Sequence, residues 1–170
     1  MRFTEEAEFS KAAFGLVERI SALMEKKGAK AACAESLTGG LIASSIVGVP
    51  GVSAWFLEGC VTYTDGAKAS RLSVSPVLLA EYTAVSRPVA RAMAEGELGF
   101  SGADIAVSAT GLAGPGPDEY GRPAGLVFVG GATKNGSVTR MLMLDGSRME
   151  IRRQAAYEAL KLMLGLAETL

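Results

Sequence analysis

The run Glu35-Ser36-Leu37-Thr38-Gly39-Gly40 sets two hydroxyls and two glycines where a short apolar segment gives way to a helical pattern. A serine at such a junction has its hydroxyl near the positive end of a helix dipole. Backbone N–H groups of the glycine turn can then face a developing oxyanion or a phosphate. Ser36 is thereby a candidate nucleophile, with Thr38, Gly39 and Gly40 as candidate binding residues. A plainer task also fits, because serine and threonine are favoured helix caps. The paired glycines lean toward a ligand, since they let it approach the backbone closely.

A nucleophilic hydroxyl needs a base, and the chain has no histidine. Ser-His-Asp triads, Cys-His dyads and histidine-based metal sites are therefore excluded. The base must be lysine, a carboxylate, tyrosine or a bound water. Tyr63-Thr64-Asp65-Gly66-Ala67-Lys68 supplies an amine just past an apolar, strand-like run. Lys68 can act as base if burial or a nearby cation lowers its pKa; otherwise it is a solvated surface lysine. Tyr63 suits strand-end packing as well as chemistry. Its spacing to the amine is Tyr-x4-Lys, not the Tyr-x3-Lys of short-chain dehydrogenases. No G-x-G-x-x-G or G-x4-G-K-[ST] occurs, which weakens dinucleotide oxidoreductases and P-loop nucleotidases.

Thr110-Gly111 opens a glycine- and proline-rich loop running to Pro117, of the kind that shapes a pocket after a central strand. Arg148 and Arg152 flank the start of a final helix, where a cation opposes the helix dipole. That mild cost makes sense if Arg148 binds an anion; otherwise both are surface arginines. Asp118 and Glu119 are adjacent, which gives no acid–base geometry. Cys33 and Cys60 are too few for a disulfide framework.

These residues need elements to hold them. Apolar positions at three- and four-residue spacing predict a helix over residues 5–27, with Gly28 as its cap. Strands are expected at 30–35, 56–63 and 104–109, a helix at 41–47, and helical pieces over 66–98. Ser75-Pro76 and Ser86-x-Pro88 read as capped helix starts. Asn135-Gly136 between two β-rich runs, 125–133 and 138–144, signals a hairpin. Ser147 caps the last helix. Strands alternating with helices, then a hairpin, predict an α/β fold. The expected form is a three-layer α/β/α sandwich on a mixed, mostly parallel five-stranded sheet. Ends of the first three strands could then line one crevice, where open α/β sheets bind ligands. All 170 residues read as one domain.

The formal charge of −1 gives no electrostatic reason to expect nucleic acid or an acidic membrane. Residues 36–57 carry no charge, yet Gly39-Gly40, Ser44-Ser45 and Pro50-Gly51 break them up, so no membrane span is expected. The start of the chain is acidic, unlike a signal peptide, and a reducing cytoplasm is the expected location.

Taken in order, several segments resemble the CinA carboxy-terminal domain family, also called PncC or nicotinamide-nucleotide amidohydrolase. They are Ala34-Glu-Ser-Leu-Thr-Gly-Gly40, Pro50-Gly51-x-Ser53, Gly59-Cys-Val-Thr-Tyr63 and Ala67-Lys68, then Ala84-Val-Ser86, Thr110-Gly-Leu-Ala-Gly-Pro-Gly116 and Arg148 with Ile151-Arg152. The match runs across residues 30–165, and the chain reads as a stand-alone form without the family's amino-terminal domain. The resemblance implies deamidation of nicotinamide mononucleotide to nicotinate mononucleotide and ammonia, with no cofactor or metal, in a homo-oligomer. It assigns the nucleophile to Ser36, the base to Lys68 and a possible proton relay to Tyr63. Thr110, Gly111 and Arg148, with Thr38, Gly39 and Gly40, are implied to hold the substrate. The alternative is a nucleotide-binding module without chemistry, linked to competence or damage responses. Leu37 stands where many members have cysteine, Asp65-Gly66 replaces a common Asn-Glu, and Ser147 replaces aspartate.

Overall fold

A computed structural model describes residues 1–170. The elements follow as α1 (Glu6–Lys27), β1 (Ala31–Glu35), α2 (Leu41–Val47), a 3₁₀ turn (Val52–Ala54) and β2 (Phe56–Val61). Next come α3 (Asp65–Leu72), α4 (Pro76–Tyr82), α5 (Arg87–Ser101) and β3 (Ile105–Gly111). The hairpin strands β4 (Leu126–Thr133) and β5 (Gly136–Met143) precede α6 (Arg148–Thr169). The sheet order is β2-β1-β3-β4-β5. β1 pairs in parallel with β2 and β3, whereas β3–β4 and β4–β5 are antiparallel. Four of the five strands thus run one way, which is the mixed sheet expected of this sequence.

Burial explains why each strand reads as it does. β1 is central and buried along its whole length, so Ala31–Glu35 shows no alternation. The edge strands β2 and β5 alternate between more and less exposed positions, with a period of two. On one face α1 packs on α6 and α2, burying Val17, Ile20, Met24, Leu160 and Met163 against β1, β3 and β4. On the other face α5 lies across β1, β3 and β4, with α3 and α4 against it. Its approach is close: a Cβ on Gly130 would stand 2.4 Å from the Ala90 carbonyl oxygen.

Hydroxyl caps only partly follow the sequence. Ser86 accepts from the Val89 N–H and Ser147 from the Glu150 N–H, as expected. Ser75 makes no side-chain cap, and Pro76 alone starts α4. Thr64 caps α3 instead, accepting from the Ala67 N–H at 3.2 Å.

After β1 the chain leaves toward the α1/α6 face, and after β2 it leaves toward the α5 face. Connections departing to opposite faces open a crevice at the carboxyl ends of the strands.

Candidate active site

Ser36 follows β1 directly, and its N–H donates to the Ala109 carbonyl of β3 at 2.9 Å. Ser36 and Thr38 do not cap α2. The capping group is the wholly buried carboxylate of Glu35, which accepts from the N–H groups of Gly40, Ile42 and Ala43 at 2.9, 3.2 and 2.9 Å. A carboxylate at a helix N-terminus satisfies donors that have no intrahelical partner, and its charge matches the dipole. The Ser36 hydroxyl is therefore spared from capping.

Lys68 reaches that hydroxyl. Its side chain is wholly buried, with Nζ 3.2 Å from Ser36 Oγ. The amine also donates to the carbonyls of Thr62 at 2.9 Å and Tyr63 at 3.3 Å. No carboxylate lies within ion-pair distance of it. Burial pushes its pKa below that of an ordinary lysine, and the charge of Asp65 opposes that shift in part. A neutral amine has two N–H donors and one lone pair. In that form, with both donors on the Thr62 and Tyr63 carbonyls, the lone pair would face the serine hydroxyl.

A cavity of about 320 Å³ opens beside this pair, lined by Tyr63, Leu37, Thr110, Gly111, Arg148 and the loop of residues 112–118. Six of the residues singled out from sequence thus meet in one place: Ser36, Tyr63, Lys68, Thr110, Gly111 and Arg148. The Tyr63 hydroxyl does not face the amine; it accepts from Arg148 at 3.2 Å, while the Tyr63 carbonyl meets Lys68. Thr110 donates its hydroxyl hydrogen to the Ala84 carbonyl at 2.8 Å, so its oxygen can only accept from a ligand. Arg148 reaches across from the start of α6, donates to the Gly114 carbonyl and has no carboxylate partner. Arg122 straps the loop down by donating to Asp118, Thr83 and the Val85 carbonyl.

Thr38, Gly39 and Gly40 lie outside the cavity lining. What comes close to Gly39 is the Arg152 guanidinium, whose Nη2 is 3.0 Å from where a Cβ would sit. The N–H groups of Gly39 and Gly40 are spent on Ser36 O and Glu35. Those of Leu37 and Thr38 have no acceptor in the protein, and of the two residues only Leu37 lines the cavity; Thr38 is wholly buried.

Glu35 and Arg152 are the site residues that the sequence did not disclose as such. Both act on main-chain groups, and the donors that Glu35 caps lie five to eight residues further along the chain. Neither cysteine competes with Ser36. Burial raises the Cys33 thiol and pushes Cys60 up to about 12, where the thiolate is scarce. No three Cys, Asp or Glu side chains gather to hold a metal ion, and no helix is long and apolar enough to cross a membrane.

Residues 14–167 match the model of the CinA C-terminal domain family. A protein of Enterobacter agglomerans named nicotinamide-nucleotide amidohydrolase PncC is 45% identical over 146 residues, covering 85% of this chain and 89% of that protein. A Clostridium botulinum protein named "Putative competence-damage inducible protein" is 41% identical over 152 residues. That alignment covers 89% of this chain but 37% of the relative, so the chain spans little more than a third of such relatives. Among solved structures, the competence/damage inducible protein CihA from Agrobacterium tumefaciens superposes with TM-score 0.87 at 38% identity, covering 91% of this chain and 95% of that one. A CinA superfamily protein from Klebsiella pneumoniae superposes with TM-score 0.89 at 30% identity, covering 93% and 99%.

Proposed function

The chain belongs to the CinA C-terminal domain family, and from that premise we propose that it hydrolyses the carboxamide of nicotinamide mononucleotide to nicotinate mononucleotide and ammonia. The observation that carries this is a wholly buried lysine amine 3.2 Å from a serine hydroxyl at the edge of a cavity. The name of the Enterobacter relative supports the substrate.

In the first step neutral Lys68 takes the Ser36 proton as Oγ attacks the carboxamide carbon. The carbonyl π electrons move to oxygen, and the Leu37 N–H holds the oxyanion. Losing one such donor typically costs about 3–4 kcal/mol of transition-state stabilisation. The Lys68 ammonium then returns the proton to the leaving nitrogen, the C–N bond breaks, and ammonia departs. Water, deprotonated by the same amine, hydrolyses the acyl-serine and regenerates Ser36. Thr110 accepts from the carboxamide NH₂, and Arg148 with Tyr63 holds the phosphate. Tyr63 then serves binding rather than proton relay, because its hydroxyl meets Arg148.

The test is release of ammonia by Ser36→Ala. We expect folding to survive and turnover to fall at least about 10³-fold, the scale on which covalent and general-base contributions act together. Full turnover in that variant would remove Ser36 as nucleophile. A second reading is a nucleotide-binding module without chemistry; the relatives named for competence and damage induction carry no enzymatic name. Calorimetric binding of nicotinamide mononucleotide with no ammonia released by the wild type would select it.

A further inference from the structure

Two stretches that wall the cavity belong to no helix or strand: residues 84–85, between α4 and α5, and the loop of residues 112–118 after β3. One side chain joins them from behind. Arg122 does not line the cavity, yet Asp118 and Val85, two of its partners, do. Its Nε donates to Asp118 Oδ2 at 2.7 Å. Its Nη1 donates to the Val85 carbonyl at 2.9 Å and to the Thr83 hydroxyl oxygen at 2.7 Å. A planar guanidinium with fixed, divergent donors can hold such a set, a task for which the point charge of lysine is ill-suited.

Thr83 needs that brace. It sits at φ +62°, a left-handed conformation that is costly for a β-branched residue and persists only where the surroundings hold it. Ala84 lies between the two residues that Nη1 grips, and its carbonyl takes the Thr110 hydroxyl hydrogen at 2.8 Å. Thr110 lines the cavity with that hydrogen committed, so only its oxygen lone pairs are left for a ligand. An acceptor there suits the N–H of a carboxamide. A carboxylate oxygen has no hydrogen to offer, and the two acceptors repel. The clasp also settles a charge: Asp118 is the one acidic residue of the lining, and Arg122 Nη2 pairs with its Oδ2 at 2.6 Å. The other oxygen, Oδ1, accepts from the N–H groups of Tyr120 and Arg122, so neither oxygen is left to oppose a phosphate.

We propose that Arg122 is a positioning residue for amide-over-acid selection: without touching substrate, it braces Thr83–Val85 so that the Ala84 carbonyl keeps the Thr110 hydroxyl hydrogen from the ligand. The proposal rests on the amidohydrolase reading of the site. It gives the site a means of shedding product, because the acid made in the reaction meets a cavity arranged for the amide.

The test is calorimetry in a Ser36→Ala background, which lacks the attacking hydroxyl. The ligands are nicotinamide mononucleotide, nicotinate mononucleotide and ribose 5-phosphate, which carries a phosphate but no carboxamide. With the clasp intact, we expect the amide to bind at least about 10-fold more tightly than the acid, as at a site built to receive an N–H. Arg122→Lys keeps a cation beside Asp118 but loses the fork. Its preference for the amide should fall about 10-fold, toward parity, while ribose 5-phosphate binds as before. Arg122→Met should lose the same preference and also bind ribose 5-phosphate more weakly, because Asp118 is left unpaired. Thr110→Val, with the clasp in place, should lose the preference by itself, and Arg122→Lys should add nothing to that loss. An unchanged preference in Arg122→Lys or in Thr110→Val, or equal weakening of all three ligands in Arg122→Lys, overturns the role of Arg122 alone. Protein with Ser36 in place that releases no ammonia from nicotinamide mononucleotide overturns the amidohydrolase reading and this role with it.

Discussion

Lys68 is buried where an ammonium is disfavoured, and that sets the pH behaviour of the proposed chemistry. Activity requires the neutral amine, so kcat should rise with pH and reach its plateau below the range in which an exposed lysine titrates. Lys68→Met should lose about 10²–10⁴ in kcat with substrate affinity nearly kept, as expected for a lost general base. The folded-state pKa lies below the unfolded one, so the folded protein binds fewer protons between the two values. Stability contributed through this group therefore rises with pH across that window. Denaturant unfolding of wild type and Lys68→Met in parallel should show the wild type gaining on the variant as pH rises toward 10.5, the ordinary lysine value. A constant difference would mean that the amine is not desolvated. Ser36 and Lys68 were legible in sequence because the proposed chemistry is carried by their side chains. Glu35 and Arg152 were not, because their partners are peptide groups, and no residue pattern shows which main-chain N–H or C=O stays unpaired.

At the scale of elements, the start of α6 brings two arginines to the site and is itself tied down. Ser147 and Glu150 form a reciprocal capping box, and Arg2 donates to Glu150 at 2.9 Å. The Arg2 guanidinium, with help from the Ser147 N–H, holds the Glu150 carboxyl at about 2. A depressed carboxyl stabilises above its unfolded pKa and loses that contribution as pH falls toward the folded value. Glu150→Gln should lower the melting temperature at pH 7, and the difference from wild type should shrink between about pH 5 and 2. A difference that persists at pH 2 would count against the ion pair. The Ser147 cap could be read in advance because its partner is local, and the structure adds the reciprocal contact from Glu150. The cap of α2 could not be read, because an acid at a strand end looks the same whether it faces solvent or folds back over the next helix. Ser75 misled for the converse reason: its hydroxyl suits a cap, but Pro76 alone suffices to start the turn.

For the whole molecule, element order and sheet class were legible because β1 is a short, uncharged run until Glu35, and because Asn135-Gly136 leaves one plausible hairpin. The arrangement at the strand ends was not, because it depends on which face each connection leaves from. Leu160 is fully buried in the core beneath α6, so Leu160→Ala should cost about 2–5 kcal/mol in denaturant unfolding. Turnover per folded molecule should stay near wild type, since the cavity lies elsewhere. A cost under about 1 kcal/mol would mean that α6 is only loosely docked. The same helix has a consequence in time. Ser36 and Lys68 emerge early from a ribosome, but Arg148 and Arg152 arrive more than 75 residues after the amine. Until Arg148 is translated and its helix has settled, the chain carries a serine and a lysine in a cavity that lacks its one guanidinium. On the proposed reading, a half-made molecule is inert toward the nucleotide pool around it, and hydrolysis would begin only after the last helix is in place.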